Sequence, residues 1–372
     1  MADTAYAYII PSSLILGTIT GFVMHRADFC LAGALRNLCL FRDAALLRAT
    51  ALLVAAAMAL FEAGRLAGIL PGLPFPLLGP ASLATATGGA LFGVGMVLAG
   101  GCVAGSLYRL GSGSFLSLLA VMGLVAGSAL YAEIHPWWQV LQRETTLFAD
   151  SLTIPQLAGC DPAFVTVPTL VVGSVFLCRW WRAGLFHRRA HAEGYLQPWK
   201  AALVLAAVSF ASTLVVGMPL GIATTYAKIG GYIEEFLMPG HFAGLSFFRA
   251  IPLDYLPPFG GSRLTGGPGP ELDAIAAIQF PLIAGIVGGG AVSAVLLGEF
   301  GAWRRAPWRQ QVSALAGGII MGLASRMASG CNVWHVLGGL PILALQSIVF
   351  CLALLPGAWV GSRILVRAVI RT

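Results

Sequence analysis

Nine uninterrupted apolar runs dominate this chain, and each is long enough to cross, or nearly cross, a hydrocarbon layer of about 30 Å. They lie at approximately Ala7–Met24, Thr50–Leu70, Ala84–Gly101, Ser114–Tyr131, Ala163–Trp180, Lys200–Gly217, Ala274–Leu297, Val312–Ser329 and Pro341–Ser362. Water cannot be the solvent for such a chain. A soluble domain carries about 25% charged residues, whereas this one has 10%, against 58% apolar. Disorder is excluded by the same numbers. Nucleic-acid binding is excluded because the net charge of +7 is not gathered into one basic face. The runs are continuous rather than alternating, which argues against a β-barrel. Gly/Pro-rich or charged connections separate most of them and predict helix breaks there. The fold class is an all-α polytopic membrane protein.

The charges assign the sides. Residues 26–48, 179–200, 299–309 and 363–371 hold 15 Lys/Arg and four Asp/Glu. Residues 1–6, 71–83, 133–162 and 219–273 hold four Lys/Arg and ten Asp/Glu. The positive-inside rule puts the first set in the cytoplasm. The N-terminus is then outside and the C-terminus inside, as nine crossings require. The first run lacks a basic leader and a clear cleavage site, so it reads as a retained span. The setting expected is a bacterial cytoplasmic (inner) membrane, with lipid as an obligatory neighbour.

Two stretches repeat each other. Gly88-Gly89-x3-Gly93-x8-Cys102 matches Gly317-Gly318-x3-Gly322-x8-Cys331 at every spacing. Each cysteine follows a glycine, Gly101 or Gly330, and is followed seven residues later by Arg109 or Gly338. A weaker pair sets Gly21-x5-Ala27-x2-Cys30 against Gly221-x5-Ala227-x2-Gly230. Close packing of small residues explains one such span, but it does not explain recurrence of the whole pattern. The chain divides into a first membrane repeat (1–134), an outer loop, linking span and basic loop (135–199), and a second repeat (200–372) with a long outer segment, 219–273. The Cys102 unit begins and ends outside and the Cys331 unit inside, so the halves are expected to be inverted. Inverted repeats are typical of secondary transporters, whose sites lie at mid-membrane between broken helices.

The runs GGCVAGSLYRLGSG and SGCNVWHVLGGLP are poor material for continuous helix. Backbone that leaves the helix at membrane depth must be buried in protein or line a polar cavity. Helix ends formed there offer free N–H groups and a dipole that favours anions. Two such breaks entering from opposite faces would meet as an hourglass with a cysteine near each tip. A third motif, GFVMHRADFCLAGALRN, places Cys30 just past the first span. Isolated membrane cysteines are usually small core residues, and Cys39, Cys178 and Cys351 read that way. No CxxC and no metal-ligand spacing occurs, so no metal or other cofactor is called for.

Intramembrane charges are functional candidates. Glu62 and Arg65 are spaced to pair on one helix. Arg26 either pairs with Asp28 or faces the pathway. Arg109 and Arg326 lack sequence-adjacent acids and either lend positive potential or snorkel to headgroups. His335 either carries protons or donates to a nearby carbonyl. Uncharged thiols and backbone N–H groups suit a small anion with a soft atom, such as the sulfur oxyanion thiosulfate. The candidate residues are therefore Cys30, Cys102 and Cys331, supported by Arg26, Gly101, Arg109, Arg326, Gly330, Asn332 and His335.

At these motifs, together with PLGIATTYAKIGG, the sequence resembles the YeeE/YedE family of membrane sulfur transporters over most of its length. The resemblance implies an hourglass of inverted halves and uptake of thiosulfate, passed between cysteines by S–H···S contacts. Those cysteines map onto Cys30, Cys102 and Cys331, with Gly230 matching Cys30 in the other half. It also implies a small cytoplasmic sulfur-carrier protein as partner. Two alternatives stand beside it: a membrane thiol oxidoreductase, and a transporter of another sulfur or selenium compound.

Overall fold

The computed structural model describes residues 2–70, 73–187, 194–259, 261, 263–301, 303 and 306–370. Of the charges used to assign sides, Arg188, Arg189, Glu193, Arg304, Arg305 and Arg371 lie outside the described residues. The first half contains α1 (Ala2–Arg26), α2 (Leu31–Phe41), α3 (Ala45–Leu66), α4 (Leu83–Leu98), α5 (Val103–Gly111) and α6 (Phe115–Glu144). A short α7 (Ile154–Ala158) and the linking helix α8 (Ala163–Arg182) follow. The second half contains α9 (Pro198–Val216), α10 (Thr224–Leu237), α11 (Pro239–Phe242), α12 (Ala274–Leu297), α13 (Trp308–Met327), α14 (Asn332–Trp334) and α15 (Leu345–Leu365). A small antiparallel hairpin, β1 (Leu253–Tyr255) with β2 (Leu264–Gly266), sits between α11 and α12.

Among the described residues, eight helices or pairs of successive helices are long and apolar enough to cross a membrane, and α13 with the segment 332–342, bent by 52°, makes a ninth. Two of the spans are broken: α1 with α2, and α4 with α5. The run Ala274–Leu297 is a helix over its whole length. Others shift. The run Ser114–Tyr131 continues through Pro136 to Glu144, and the run Thr50–Leu70 ends as helix at Leu66, before the left-handed Gly68. Pro341 does not open the last span. After α14 the chain makes a wide π turn over His335–Gly339 and a tight turn over Leu340–Ile342, and left-handed Leu343 precedes α15.

Loop contacts fall into two groups that match the charge partition. At the acidic end Leu83 N–H donates to Thr145 O, Ile154 N–H to Leu343 O, and Arg65 bridges Glu62 and Asp161 at 2.7 and 2.8 Å. At the basic end Leu196 N–H donates to Arg26 O and Gly301 N–H to Ser112 O. Arg65 thereby pairs as its i, i+3 spacing predicts, and adds Asp161, whose carboxylate also caps α8 through Ala163 N–H.

The packing partners of the two halves exchange. Helix α1 packs on α12 while α9 packs on α3, and α4 packs on α15 while α13 packs on α6. Helices α4 and α13 run antiparallel against each other, Gly88 beside Ala328 and Gly95 beside Met321. The repeated glycines sit at these seams. Gly89 and Gly93 lie on the backbone of Phe350 and Leu354 in α15, and Gly318 and Gly322 lie on Ala120 and Leu124 in α6. Without side chains the helices approach to backbone contact, where dispersion and lipid release drive association rather than a hydrophobic difference. The helix α8 stands largely outside this core: Phe164, Val171, Val172 and Phe176 are all exposed.

Gly318→Ala would force a methyl group onto the Ala120 carbonyl, so we expect a loss of about 1–3 kcal/mol. Gly173, on α8, has nothing within 4 Å of an added Cβ. Thermal unfolding in detergent should therefore show a lower Tm for Gly318→Ala and an unchanged or slightly higher one for Gly173→Ala.

Candidate functional site

Three helices stop inside the protein and restart at a cysteine. The residue two positions ahead of each cysteine is left-handed: Asp28 (φ 44°), Gly100 (φ 76°) and Ser329 (φ 57°). This closes the preceding helix by backward bonds, Phe29 N–H to Met24 O at 2.9 Å and Gly330 N–H to Ser325 O at 2.8 Å among them. Each cysteine then takes extended backbone and becomes the N-cap of the next helix: Cys30 for α2, Cys102 for α5 and Cys331 for α14. The thiols consequently stand where unpaired N–H groups and the positive dipole end converge. All three are at most 2% exposed.

The cysteines are ordered. Cys30 Sγ lies 3.5 Å from Cys102 Sγ, and the Cys102 N–H donates to Cys30 Sγ at 3.4 Å. Cys102 Sγ also accepts from Gly105 N–H at 3.3 Å. A Cβ on Gly105 would fall 2.6 Å from Cys30 Sγ, so only glycine leaves room for the pair. Beside them is an apolar chamber of about 50 Å³, lined by Cys102, Asn332, Phe29, Ile222 and Val336 among others. Asn332 lies close enough to interact with the Cys102 thiol, and its buried Oδ1 has no partner.

Cys331, the residue before Asn332, faces the other way. It lines a cavity of about 420 Å³ walled by acidic-end segments, including Leu77–Gly79, His135, Gln139, Phe247, Ala250 and Pro268. Ile222 borders both spaces. No carboxylate is among the cavity's lining residues. Two of its polar side chains, Arg326 and Trp334, can only donate. Arg326 bonds only Thr224 Oγ1, at 3.2 Å, and among the described residues no acid pairs with it. Trp334 Nε1 is buried without a partner. Gln279 spends its Oε1 on Thr225, at 3.0 and 3.1 Å, which leaves its amide N–H groups.

The remaining candidates are placed as follows. Gly101 and Gly330 form the tight backbone before their cysteines; a Cβ on Gly330 would lie 2.8 Å from the Trp334 ring. Arg109 pairs with Asp28 at 2.9 Å. Arg26 turns away from Asp28: it covers the Phe22 ring and donates to Gly194 O at 2.9 Å. His335 is fully buried, bonded to Ser347 Oγ at 2.8 Å and stacked on Phe350 at 4.1 Å, so it fastens the α14 turn to α15. Gly230 does not occupy the position of Cys30. It lies within α10, and the residue capping that helix is Ala223. The weak spacing match follows from α9 ending at left-handed Gly217, ahead of a longer irregular link.

Several residues here carry no local sequence signal. Asp28 and Tyr108 gain roles only from partners far along the chain, and Trp334 from the cavity that it lines. Lys228 is wholly buried on α10 and donates to Gly269 O, Glu271 O and Asp273 Oδ2 within 2.9 Å, pinning the cavity rim to the membrane core. Among the described residues one grouping has metal-ligand spacing, Glu133, Glu234 and His241. It is a rim cluster in which His241 Nδ1 bonds Glu234 at 2.7 Å.

The family model described as sulphur transport matches residues 26–360. The chain is 29% identical over 378 residues to the thiosulfate transporter TsuA of Spirochaeta thermophila, covering 96% of this chain and all of that protein. It is 38% identical over 131 residues to the thiosulfate transporter TsuA of Escherichia coli, about a third of each chain (34% and 35%). A probable transporter, YedE of Salmonella typhimurium, is 40% identical over 60 residues, 16% of this chain and 15% of that one. A match that begins in the Cys30 turn and ends beyond the Cys331 turn takes in all three capped cysteines: the chain belongs to the YeeE/YedE sulphur transport family of membrane transporters.

Proposed function

We propose that this protein takes up thiosulfate, or a closely related sulfur anion, across the cytoplasmic membrane through a pathway of three cysteines. One observation carries the reading: Cys331 in the large cavity, Cys102 in the chamber beyond it and Cys30 in contact with Cys102 form a series. The relatives named as thiosulfate transporters support the cargo. In this reading the acidic end and the N-terminus are outside, and the basic end faces the cytoplasm. The two halves are inverted repeats, a reading supported by the exchange of packing partners and the antiparallel α4 and α13.

Each part has a chemical task. Arg326, unpaired at the wall of the outer cavity, attracts the dianion. Trp334 Nε1–H and the α14 N-terminus donate to its oxygens. The uncharged thiols contact the soft terminal sulfur without repelling the ion; S–H contacts are individually weak, which suits transfer better than capture. Gly101, Gly330 and Asn332 shape the turns that present the thiols, and His335 holds the Cys331 turn on α15.

Inward movement of a dianion against 100 mV costs about 4.6 kcal/mol. Accumulation therefore needs either proton symport or consumption inside, and a small sulfur-carrier protein at the basic end would supply the second.

Three outcomes are expected in proteoliposomes holding the full chain. Cys102→Ala abolishes labelled thiosulfate uptake while Cys351→Ala, on the flank of α15, leaves it intact; normal uptake by Cys102→Ala would defeat the pathway. Arg326→Gln raises the half-saturating thiosulfate concentration by about tenfold or more, the scale of a lost charge-assisted contact, whereas Arg326→Lys restores part of it. An imposed inside-positive potential accelerates uptake, and indifference to voltage would exclude movement of a free anion.

A further inference from the structure

The turns ahead of Cys30 and Cys102 are joined by a contact the pathway leaves unused. Arg109 Nη2 donates to Asp28 Oδ1 at 2.9 Å, and Nη1 of the same guanidinium donates to the Gly100 carbonyl at 2.6 Å. Asp28 and Gly100 are the left-handed residues that set up the two cysteines. Arg109 itself leaves the last turn of α5, the helix that Cys102 caps. One planar fork thus spans both turns whose thiols touch.

The surroundings fix the acceptor as well as the donor. Asp28 Oδ1 also accepts from the Tyr108 hydroxyl at 3.1 Å. Tyr108 is 1% exposed and its ring meets His25 edge-on at 6.0 Å. His25 Nδ1 in turn bonds Ser293 Oγ on α12 at 3.0 Å. The carboxylate is therefore held by two side chains of α5, one of which packs on His25 of α1, itself anchored to α12. Because Asp28 neutralises it, Arg109 offers a passing anion much less potential than Arg326 does. The other half has no equivalent: Gly338 stands seven residues after Cys331, and Ala223 caps α10.

We propose that Arg109 is a positioning residue, whose simultaneous bonds to the Gly100 carbonyl and the Asp28 carboxylate set the spacing of the Cys30 and Cys102 thiols and hence the hand-over between them. The inference rests on the thiol pathway proposed above. It separates from a purely electrostatic role because lysine keeps the charge but presents a compact ammonium rather than a two-armed fork.

The test uses full-length protein in proteoliposomes, with two readouts: thiosulfate uptake, and the rate at which diamide joins Cys30 to Cys102, followed by mass spectrometry. Diamide takes up two electrons and both thiol protons as the disulfide forms. Arg109→Lys and Arg109→Gln are each expected to slow cross-linking by about tenfold, the scale of losing a charge-assisted bond. The maximal uptake rate should fall similarly, with the half-saturating concentration unchanged. Asp28→Asn keeps an acceptor oxygen and should fall between these variants and the parent; Asp28→Ala removes one arm and should match Arg109→Gln. Wild-type cross-linking and uptake in Arg109→Lys would overturn the proposal, as would lost uptake with unchanged cross-linking in Arg109→Gln. If the Arg109 variants do not elute as folded protein, the two Asp28 variants decide. Cross-linking reads the spacing even if Cys102→Ala transports normally, so the two proposals fail separately.

Discussion

A peptide group left unpaired in hydrocarbon costs several kcal/mol, so a helix can stop at membrane depth only where other bonds replace those it gives up. Three stops in this protein use one solution. A left-handed residue turns the chain, a backward bond closes the old helix, and a cysteine caps the new one. The closing bonds satisfy carbonyls of the old helix. The first N–H groups of the new helix have no such partner within it, and they gather around the thiols. The site is thus the residue of a hydrogen-bond problem that the fold solves on one side of each turn and leaves open on the other.

Such turns survive only if lipid is kept away, and the glycine seams accomplish this. Helices α4 and α13 touch at backbone distance directly before their breaks, and α15 and α6 close over the far sides. The repeated glycines therefore have two jobs that the spacing alone cannot separate. Those at 88–93 and 317–322 bring helices together, whereas Gly105 leaves room for the Cys30–Cys102 thiols and Gly330 for the Trp334 ring. The close packing proper to any membrane helix and the shaping of a site coexist in one motif.

The apolar runs made the spans legible, because a bilayer imposes length and composition on every crossing. The cysteine turns were legible through glycine and through repetition. Helix ends were less so: Pro341 looked like the start of a span, yet it completes a turn that Gly338 and Gly339 had already bent. Partners distant in sequence were invisible. Asp28 and Arg109 are 81 residues apart, so neither could be assigned to the other, and Arg26 was the nearer but wrong neighbour. Trp334 carries no signal in the sequence, yet its Nε1–H is buried and unpaired in the cavity that Cys331 lines. His335, conspicuous in sequence, is spent on Ser347 and Phe350.

The two arginines of the repeat region divide the electrostatic work. A guanidinium and an anion about 4 Å apart attract by roughly 4 kcal/mol at the effective dielectric of a partly solvated site. That is enough to gather a dianion, and too much to repeat at every station, because a pathway must bind weakly enough to release. Arg326 keeps its charge uncompensated on the wall of the wide cavity, while Arg109 gives most of its charge to Asp28 beside the Cys30–Cys102 pair. In the proposed pathway the unpaired guanidinium stands by Cys331 and the neutralised one by the Cys30–Cys102 pair, so the thiols take over where the free guanidinium leaves off. Along it, an anion leaving the Cys331 cavity meets sulfur and backbone N–H rather than a second unpaired guanidinium, which favours release. The net direction is set by concentration and voltage across the membrane.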